Sequence, residues 1–446
     1  MLKNPILRTD SYKFSHYQQY PAGMTKMKSY FEARGGEFDT CTLYGLQYYL
    51  KILSSDFISY GDVEEAAEFA KGHGVPFNEK GFREIVDVYG GQWPVVIKAI
   101  PEGKIVPVGT PLFTVESAYD DPDVAWVPSW LETMLSRVWY PSTIATCSRE
   151  SKKILKKYLD LTSDTPEEIV FKLHDFGGRG VASAEQAGLG GSAHLLSFLG
   201  TDTCEAIEFA QEYYSAGMCG FSIPAAEHST VTSWGKDREF DFYRNFIKTF
   251  LTDRPTIPGV PKLAACVSDS YNLWNAVDFW TAPEQVKQIK ESGGTLVIRP
   301  DSGEPVTTLC QLFDRLEARL PMVRNQKGYL VLPPYFRVIQ GDGVDRAKME
   351  AILAALTARG YSASNIAFGS GGGLLQKVDR DTQKFAYKCF AAKVDGQWVD
   401  VYKDPATDPG KRSKTGNLDE GLQVVFDRGQ ILKHHTFDEV RSRIEL

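Results

Sequence analysis

The rhythm of apolar and polar positions changes near residue 166. Beyond it, short apolar stretches repeatedly end in charged, hydroxyl or glycine residues, and a stretch of helical periodicity follows. The ends are Lys172–Gly177, Ser222–His228, Val267–Ser270, Val297–Gly303, Val338–Gly343 and Ala367–Gly373. Behind Pro305, a residue suited to a first helical turn, Val306, Leu309, Cys310 and Phe313 share one helix face. Asp345 can cap the next helix, whose apolar face is Met349, Ile352, Leu353 and Leu356 and whose stop is Gly360. Alternating strands and helices with chemistry at the strand ends predict a (β/α) barrel-like domain. Weaker strands near Ser197–Gly200 and Phe385–Ala391 are expected to complete it.

The first part of the chain reads differently. Residues 1–30 suggest an irregular arm and Tyr30–Ala33 a strand. Thr42–Leu53 and Val63–Gly72 read as helices, and Gly91–Val115 is strand-rich with turns at Pro101–Gly103 and Gly109–Pro111. Val127–Val138 and Thr143–Leu161 predict two more helices. The polar stretch Thr162–Pro166 is the expected boundary. The expected organisation is an α+β, strand-rich domain over 1–165, rejoined by 393–446, and a barrel domain over 166–392.

Bulk properties narrow the function. A chain of 446 residues, 43% hydrophobic and 24% charged, fits a globular protein of two or three domains. A net charge of -7 argues against a general nucleic-acid binder. No apolar run approaches the roughly 18 residues of a membrane span, and Met1–Arg8 lacks a signal-peptide core. The seven cysteines are scattered and never spaced C-x-x-C, which suits a reduced, cytoplasmic compartment and disfavours structural zinc.

Several strand ends carry candidate chemistry. Gly369–Gly373 joins a strand to a helix start, as a phosphate cradle does, with Gly341, Asp342 and Gly343 one unit earlier. The alternative is a tight turn. Arg299 and Asp301 suit phosphate or carbonyl recognition and ribose or Mg²⁺ binding, or else a plain internal ion pair. Phe176 beside Arg179 is either core or a stacking face for a planar ring. His228, after Glu227, is a candidate base or phosphate nucleophile, although an isolated histidine is often structural. His174 reads as a hydrogen-bond partner of Asp175. Arg380, Lys388, Lys403, Lys411 and Arg412 form a basic run, either a solvated face or an anion clamp.

At these motifs the chain resembles the nicotinamide phosphoribosyltransferase family. The segments are Asp10–Lys13, Tyr44–Tyr48, Lys172–Gly177, Pro224–Ser229, Ser268–Tyr271, Arg299–Gly303, Arg337–Val344, Phe368–Lys377 and Lys403–Pro405, spread over nearly the whole length. The resemblance implies a type II phosphoribosyltransferase fold. It implies transfer of phosphoribosyl from 5-phosphoribosyl 1-pyrophosphate to nicotinamide, giving nicotinamide mononucleotide and pyrophosphate in NAD salvage. It also implies Mg²⁺, a homodimer with shared active sites, and ATP hydrolysis coupled through a phosphohistidine.

Residue by residue, the resemblance makes Phe176 one side of a nicotinamide sandwich and Tyr12 of another subunit the other. Asp202 would accept from the carboxamide NH₂, and Arg299 would sit near the carboxamide oxygen and phosphate. Asp301 would bind ribose. Gly341, Asp342, Gly371, Gly372 and Arg179 would hold the 5′-phosphate. Asp10, Arg34, Arg380, Lys388, Lys403 and Lys411 would serve the pyrophosphate or ATP phosphates. His228 would be phosphorylated, oriented by Glu227 and Asp269. The chain departs from the family's pattern at Gly178, where a tyrosine is expected, at Ala265 and Ala386, where serines are, and in an apparent insertion, Asp253–Pro261. Two other readings compete. A nicotinate or quinolinate enzyme would bring a carboxylate against Asp202, which disfavours it. A flavin- or nicotinamide-dependent barrel oxidoreductase would show similar late glycine loops.

Overall fold

The structure, a computed structural model, describes residues 4–407 and 412–444. It contains two compact units. One comprises residues 1–146, 211–216 and 378–445; the other comprises 147–210 and 217–377. The division falls inside a long helix, Trp139–Thr162. Among the described residues no helix is long and apolar enough to cross a membrane.

The first unit is organised on a seven-stranded antiparallel sheet. Its order is Gln397–Asp400, Phe385–Val394, Met24–Ala33, Pro111–Ser117, Val95–Ala99, Gln423–Asp427 and Gln430–Ile431. Phe31 stacks on Phe113 at 4.8 Å and on Phe385 at 5.2 Å, so aromatic pairs across three strands bind the centre. Two expectations are corrected here. Phe385–Ala391 is not a barrel strand: it pairs antiparallel with Met24–Ala33, with Phe31 opposite Tyr387. Residues 4–30 are also more regular than an arm. Pro5–Leu7 and Ser11–Gln18 form 3-10 turns, and the strand already begins at Met24. Phe14 anchors the second turn, buried 4.9 Å from Trp130, while buried Lys13 pairs with Glu132 at 2.7 Å.

The second unit contains six parallel strands in the order Gly200–Thr201, Leu173–Asp175, Ile366–Ser370, Phe336–Gln340, Thr295–Arg299 and Leu263–Val267. The ring closes through residues 221–226. Thr201 N–H donates to the Phe221 carbonyl, and Ala226 N–H donates to the Ala265 carbonyl. The expected strand ending in Ser222–His228 is therefore reduced to isolated bridges, because Pro224 has no N–H for a continuous ladder. Alternation sorts the side chains. Cys266, Ile298, Val338 and Phe368 face the outer, helix-covered core. Ala265, Val297 and Ile339 form a separate inner cluster with Phe176, Ile223 and Ala367 packed against it. Alanines on the inner side leave room at the mouth.

Candidate active site

A cavity of about 440 Å³ lies at the carboxyl ends of these strands, with Phe176, Asp202, Ser222, Ala265, Arg299 and Ile339 among its walls. In a barrel, side chains just past the strands converge on one rim while the strands hold them rigidly. Phe176 follows Leu173–Asp175 and is fixed by its N–H, which donates to the Ser370 carbonyl at 2.9 Å. Its ring has the Arg299 guanidinium 6.0 Å from the centroid. Gly369 is required by that ring: a Cβ there would lie 1.9 Å from Phe176 Cε2. A Cβ on Gly341 would lie 3.2 Å from the same atom and 3.4 Å from Arg299 Nε.

Asp202 follows the strand Gly200–Thr201. Its Oδ1 accepts from His174 Nε2 at 3.0 Å and from the Ser222 hydroxyl. Burial works against its ionisation. The hydrogen bond and charge of His174, the Ser222 hydroxyl and the charge of Arg299 outweigh it and hold the carboxyl below its usual value. The cavity thus presents an anionic acceptor beside an aromatic face, a pairing suited to an amide on a planar ring. His174 does not bond Asp175, as expected from its neighbour. Asp175 is buried and instead accepts from Gly177 N–H at 2.7 Å and Thr201 Oγ1 at 3.2 Å.

The second cluster surrounds His228, which opens the short helix His228–Thr232. Nδ1 lies 2.9 Å from Ser270 Oγ, and Nε2 lies 3.3 Å from Asp301 Oδ2 and 3.9 Å from Asp269 Oδ1. Asp269 Oδ2 accepts from Asp301 N–H at 2.8 Å and Ser302 Oγ at 2.6 Å, while Oδ1 is buried without a hydrogen bond. Asp301 Oδ1 accepts from Arg299 Nε at 3.1 Å. The Arg299–Asp301 ion pair is therefore real, and it also joins the cavity walled by Phe176 to His228. Glu227 precedes the helix, and its carboxylate accepts from Ser229 Oγ rather than from His228.

The remaining barrel candidates stand on the same rim. Gly371 and Gly372 begin a single helical turn, Gly372–Leu375, and a Cβ on Gly372 would meet nothing within 4 Å. Arg179 is exposed on the turn Gly178–Gly180. Asp342 is exposed after Gly341, with its carbonyl accepting from Gln340 Nε2 at 3.0 Å.

The other candidates belong to the antiparallel unit. Asp10 accepts from Thr133 Oγ1 at 2.8 Å, and Tyr12 is exposed. Lys388 is half-buried and its pKa is lowered. Burial is the main cause, Glu132 opposes it, and the charges of Lys403, Arg34 and Arg380 add to it. The basic residues scattered in sequence are thus gathered around one lysine, an arrangement that favours an incoming anion. Lys411 lies outside the described residues. Within the barrel, the side chains the sequence reading missed are His174 as an Asp202 partner, Ser222, Ser270 and Ser302. A signal for His174 existed, because positions two apart in extended chain point to one side, and the His174 and Phe176 rings lie 5.2 Å apart.

Comparisons with known proteins place the chain in a family. Residues 171–438 match the nicotinate phosphoribosyltransferase (NAPRTase) family, and residues 4–97 match the nicotinamide phosphoribosyltransferase N-terminal domain. A nicotinamide phosphoribosyltransferase of Xanthomonas campestris is 47% identical over all of this chain and 98% of its own length. Another, of Acinetobacter baylyi, is 29% identical over 99% of this chain and 97% of its own. The crystal structure of nicotinate-nucleotide pyrophosphorylase from Pyrococcus furiosus shares the fold, with a TM-score of 0.58 at 15% identity, over 100% of this chain and 96% of that one. On these grounds the chain belongs to the nicotinamide phosphoribosyltransferase family.

Proposed function

We propose that this protein transfers the phosphoribosyl group of 5-phosphoribosyl 1-pyrophosphate to nicotinamide, producing nicotinamide mononucleotide and pyrophosphate for NAD biosynthesis. The observation that carries this reading is Asp202, an acceptor held ionised by His174 and Ser222 inside a cavity walled by Phe176 and Arg299. An ionised carboxylate accepts from a carboxamide NH₂ and repels a carboxylate. In the transfer, the bond from ribose C1′ to the pyrophosphate oxygen breaks, its electron pair leaves with pyrophosphate, and the pyridine nitrogen bonds C1′. That nitrogen is a weak nucleophile, so positioning by Phe176, Asp202 and Arg299 supplies much of the rate. Cations stabilise the departing charge.

Mg²⁺ fits this site as an ion held largely by substrate phosphates and water, because so hard a cation takes oxygen ligands. Asp301 and Asp269 are the carboxylates on hand, and Asp269 Oδ1 is the one without a hydrogen bond. The ion supplies charge neutralisation of the leaving pyrophosphate. Binding of the ribose by Asp301 and of phosphate by Arg179, Gly341, Asp342, Gly371 and Gly372 belongs to the same reading. So does binding of further phosphates by Asp10, Arg34, Arg380, Lys388, Lys403 and Lys411.

ATP is the coupled co-substrate in this reading. A ring nitrogen of His228 takes the γ-phosphoryl group, ADP departs, and water later cleaves the P–N bond. The exposed imidazole, fixed by Ser270 and facing two carboxylates, supports that role.

Product analysis tests the transfer: nicotinamide and nicotinate are each supplied with phosphoribosyl pyrophosphate and Mg²⁺. Nicotinamide mononucleotide is expected to predominate. Asp202→Asn is expected to narrow the ratio of the two kcat/KM values by roughly tenfold or more, since a charged-acceptor bond contributes about 1.5–3 kcal/mol. Preference for nicotinate in the unaltered protein would overturn the assignment.

The reading includes a homodimer in which Tyr12 of one copy completes the aromatic sandwich on Phe176 of the other. Tyr12's exposure supports it. Tyr12→Ala and Phe176→Ala proteins, each nearly inactive, should regain activity when mixed, because each heterodimer has one intact site. If subunits exchange and no activity returns, the sites are not shared.

A further inference from the structure

The two oxygens of Asp202 are not equivalent. Oδ1 takes both His174 Nε2, at 3.0 Å, and the Ser222 hydroxyl. Among the described residues no donor reaches Oδ2. His174 is itself confined. A Cβ on Gly200 would lie 2.6 Å from its Nδ1, and its ring centroid is 5.2 Å from that of Phe176. An ionised carboxylate only accepts, so Nε2 must carry the hydrogen in this pair.

We propose that His174 is a positioning residue for substrate choice: by saturating Oδ1 together with Ser222, it leaves Oδ2 as the single, proton-free acceptor that meets the substituent of the pyridine ring. This rests on the reading of Asp202 as the selector of amide over acid. A free carboxyl could rotate, or take up a proton and donate to a nicotinate oxygen, and the preference would vanish. The pair His174–Ser222 blocks both escapes. His174 comes from the strand Leu173–Asp175, Ser222 from the bridging segment, and Arg299 from the strand Thr295–Arg299. Arg299, Arg179 and Glu205 are the other charged groups on the cavity wall, and the charge of Arg299 adds to the effect of His174 on Asp202. Buried His194, on the helix Ala184–His194, faces the other side of the strand and bonds the Leu173 carbonyl.

His174 is among the groups that hold the Asp202 carboxyl down against burial. The charge on Asp202 is lost as pH falls through its pKa. Removing His174 raises that pKa, so the loss moves to higher pH. In His174→Ala the ratio of kcat/KM for nicotinamide over nicotinate should fall roughly tenfold near neutrality. It should fall further on mild acidification, where the unaltered protein's ratio stays flat. His174→Gln, which restores an N–H near the Nε2 position, should recover most of the neutral ratio.

The decisive experiment is a double-mutant cycle with Asp202→Asn. If His174 acts through Asp202, adding His174→Ala to Asp202→Asn leaves the ratio where Asp202→Asn alone put it. An additive fall, or an unchanged ratio and pH profile in His174→Ala alone, would overturn the inference. If Asp202→Asn itself leaves the ratio unchanged, the selector reading fails instead, and the two failures are distinguishable.

Discussion

Two histidine–carboxylate pairs stand on the rim of the barrel, built in opposite senses. In one, the His174 side chain is 15% exposed and Asp202 is 45% exposed. In the other, His228 is 46% exposed while Asp269 and Asp301 are 3% and 19% exposed. The same two side-chain types are used, with the sheltered and the open partner exchanged. The open member is the one accessible from solvent, and the sheltered member fixes its orientation. The first pair therefore offers an anionic acceptor and the second offers an imidazole. Arg299 spans both, lying over Phe176 and bonded to Asp301.

The sharpest way to break this comparison is to remove the open imidazole. His228→Ala should abolish steady-state ATPase activity and ATP stimulation. A weaker, ATP-independent synthesis should survive, because Phe176, Asp202 and the glycine loops still position the reactants. Both activities are measured on one preparation, with and without ATP. Persistent ATP stimulation would refute the phosphohistidine role, and complete loss of basal synthesis in a folded mutant would move His228 into the transfer step.

A smaller but more informative effect is expected at Asp301, which bonds Arg299 through Oδ1 and faces His228 with Oδ2. Asp301→Asn should lower basal synthesis and ATP stimulation together, each by about tenfold, the order expected for a bond to a charged group. Kinetics with and without ATP separate the two. A loss confined to one of them would show that the pairs work independently.

The barrel was legible because its strands and helices carry different apolar periods, and because glycine, aspartate and serine mark the strand ends. What escaped has physical causes. The run Phe385–Val394 is apolar enough for either sheet, and only its partner, Met24–Ala33, decides that it pairs antiparallel. Residues 5–18 show no regular apolar period because only Pro5, Ile6, Phe14 and the paired Lys13 are buried. The rim residues were named from strand ends and resemblance, but their pairing was not readable. His174 adjoins Asp175 in sequence, yet the bonded carboxylate is 28 positions away, brought near by the neighbouring parallel strand. Ser222 and Ser270 are marked by the sequence only as strand-end hydroxyls, and what each touches comes from the fold.

A third histidine provides the control for the comparison. His194 is fully buried and has no carboxylate: Nδ1 accepts from Ser148 Oγ at 2.9 Å, and Nε2 donates to the Leu173 carbonyl at 3.2 Å. Burial pushes its pKa down to about 3 from an ordinary 6.5. With no open partner it should affect stability and not chemistry. The sign follows from proton binding. Between those two pKa values the unfolded chain binds a proton at this site that the folded chain refuses, so stability falls as pH drops below 6.5 and levels off near 3. The slope is at most about 1.4 kcal/mol per pH unit. His194→Gln retains a donor for the Leu173 carbonyl and cannot take up the proton. Its thermal midpoint should therefore decline less steeply with acidification than that of the unaltered protein, while the nicotinamide-to-nicotinate ratio stays the same. Parallel acid limbs would show that His194 is not what acid destabilises. A changed ratio would mean that the buried histidine reaches the site through His174, and the division between open and sheltered partners would have to include it.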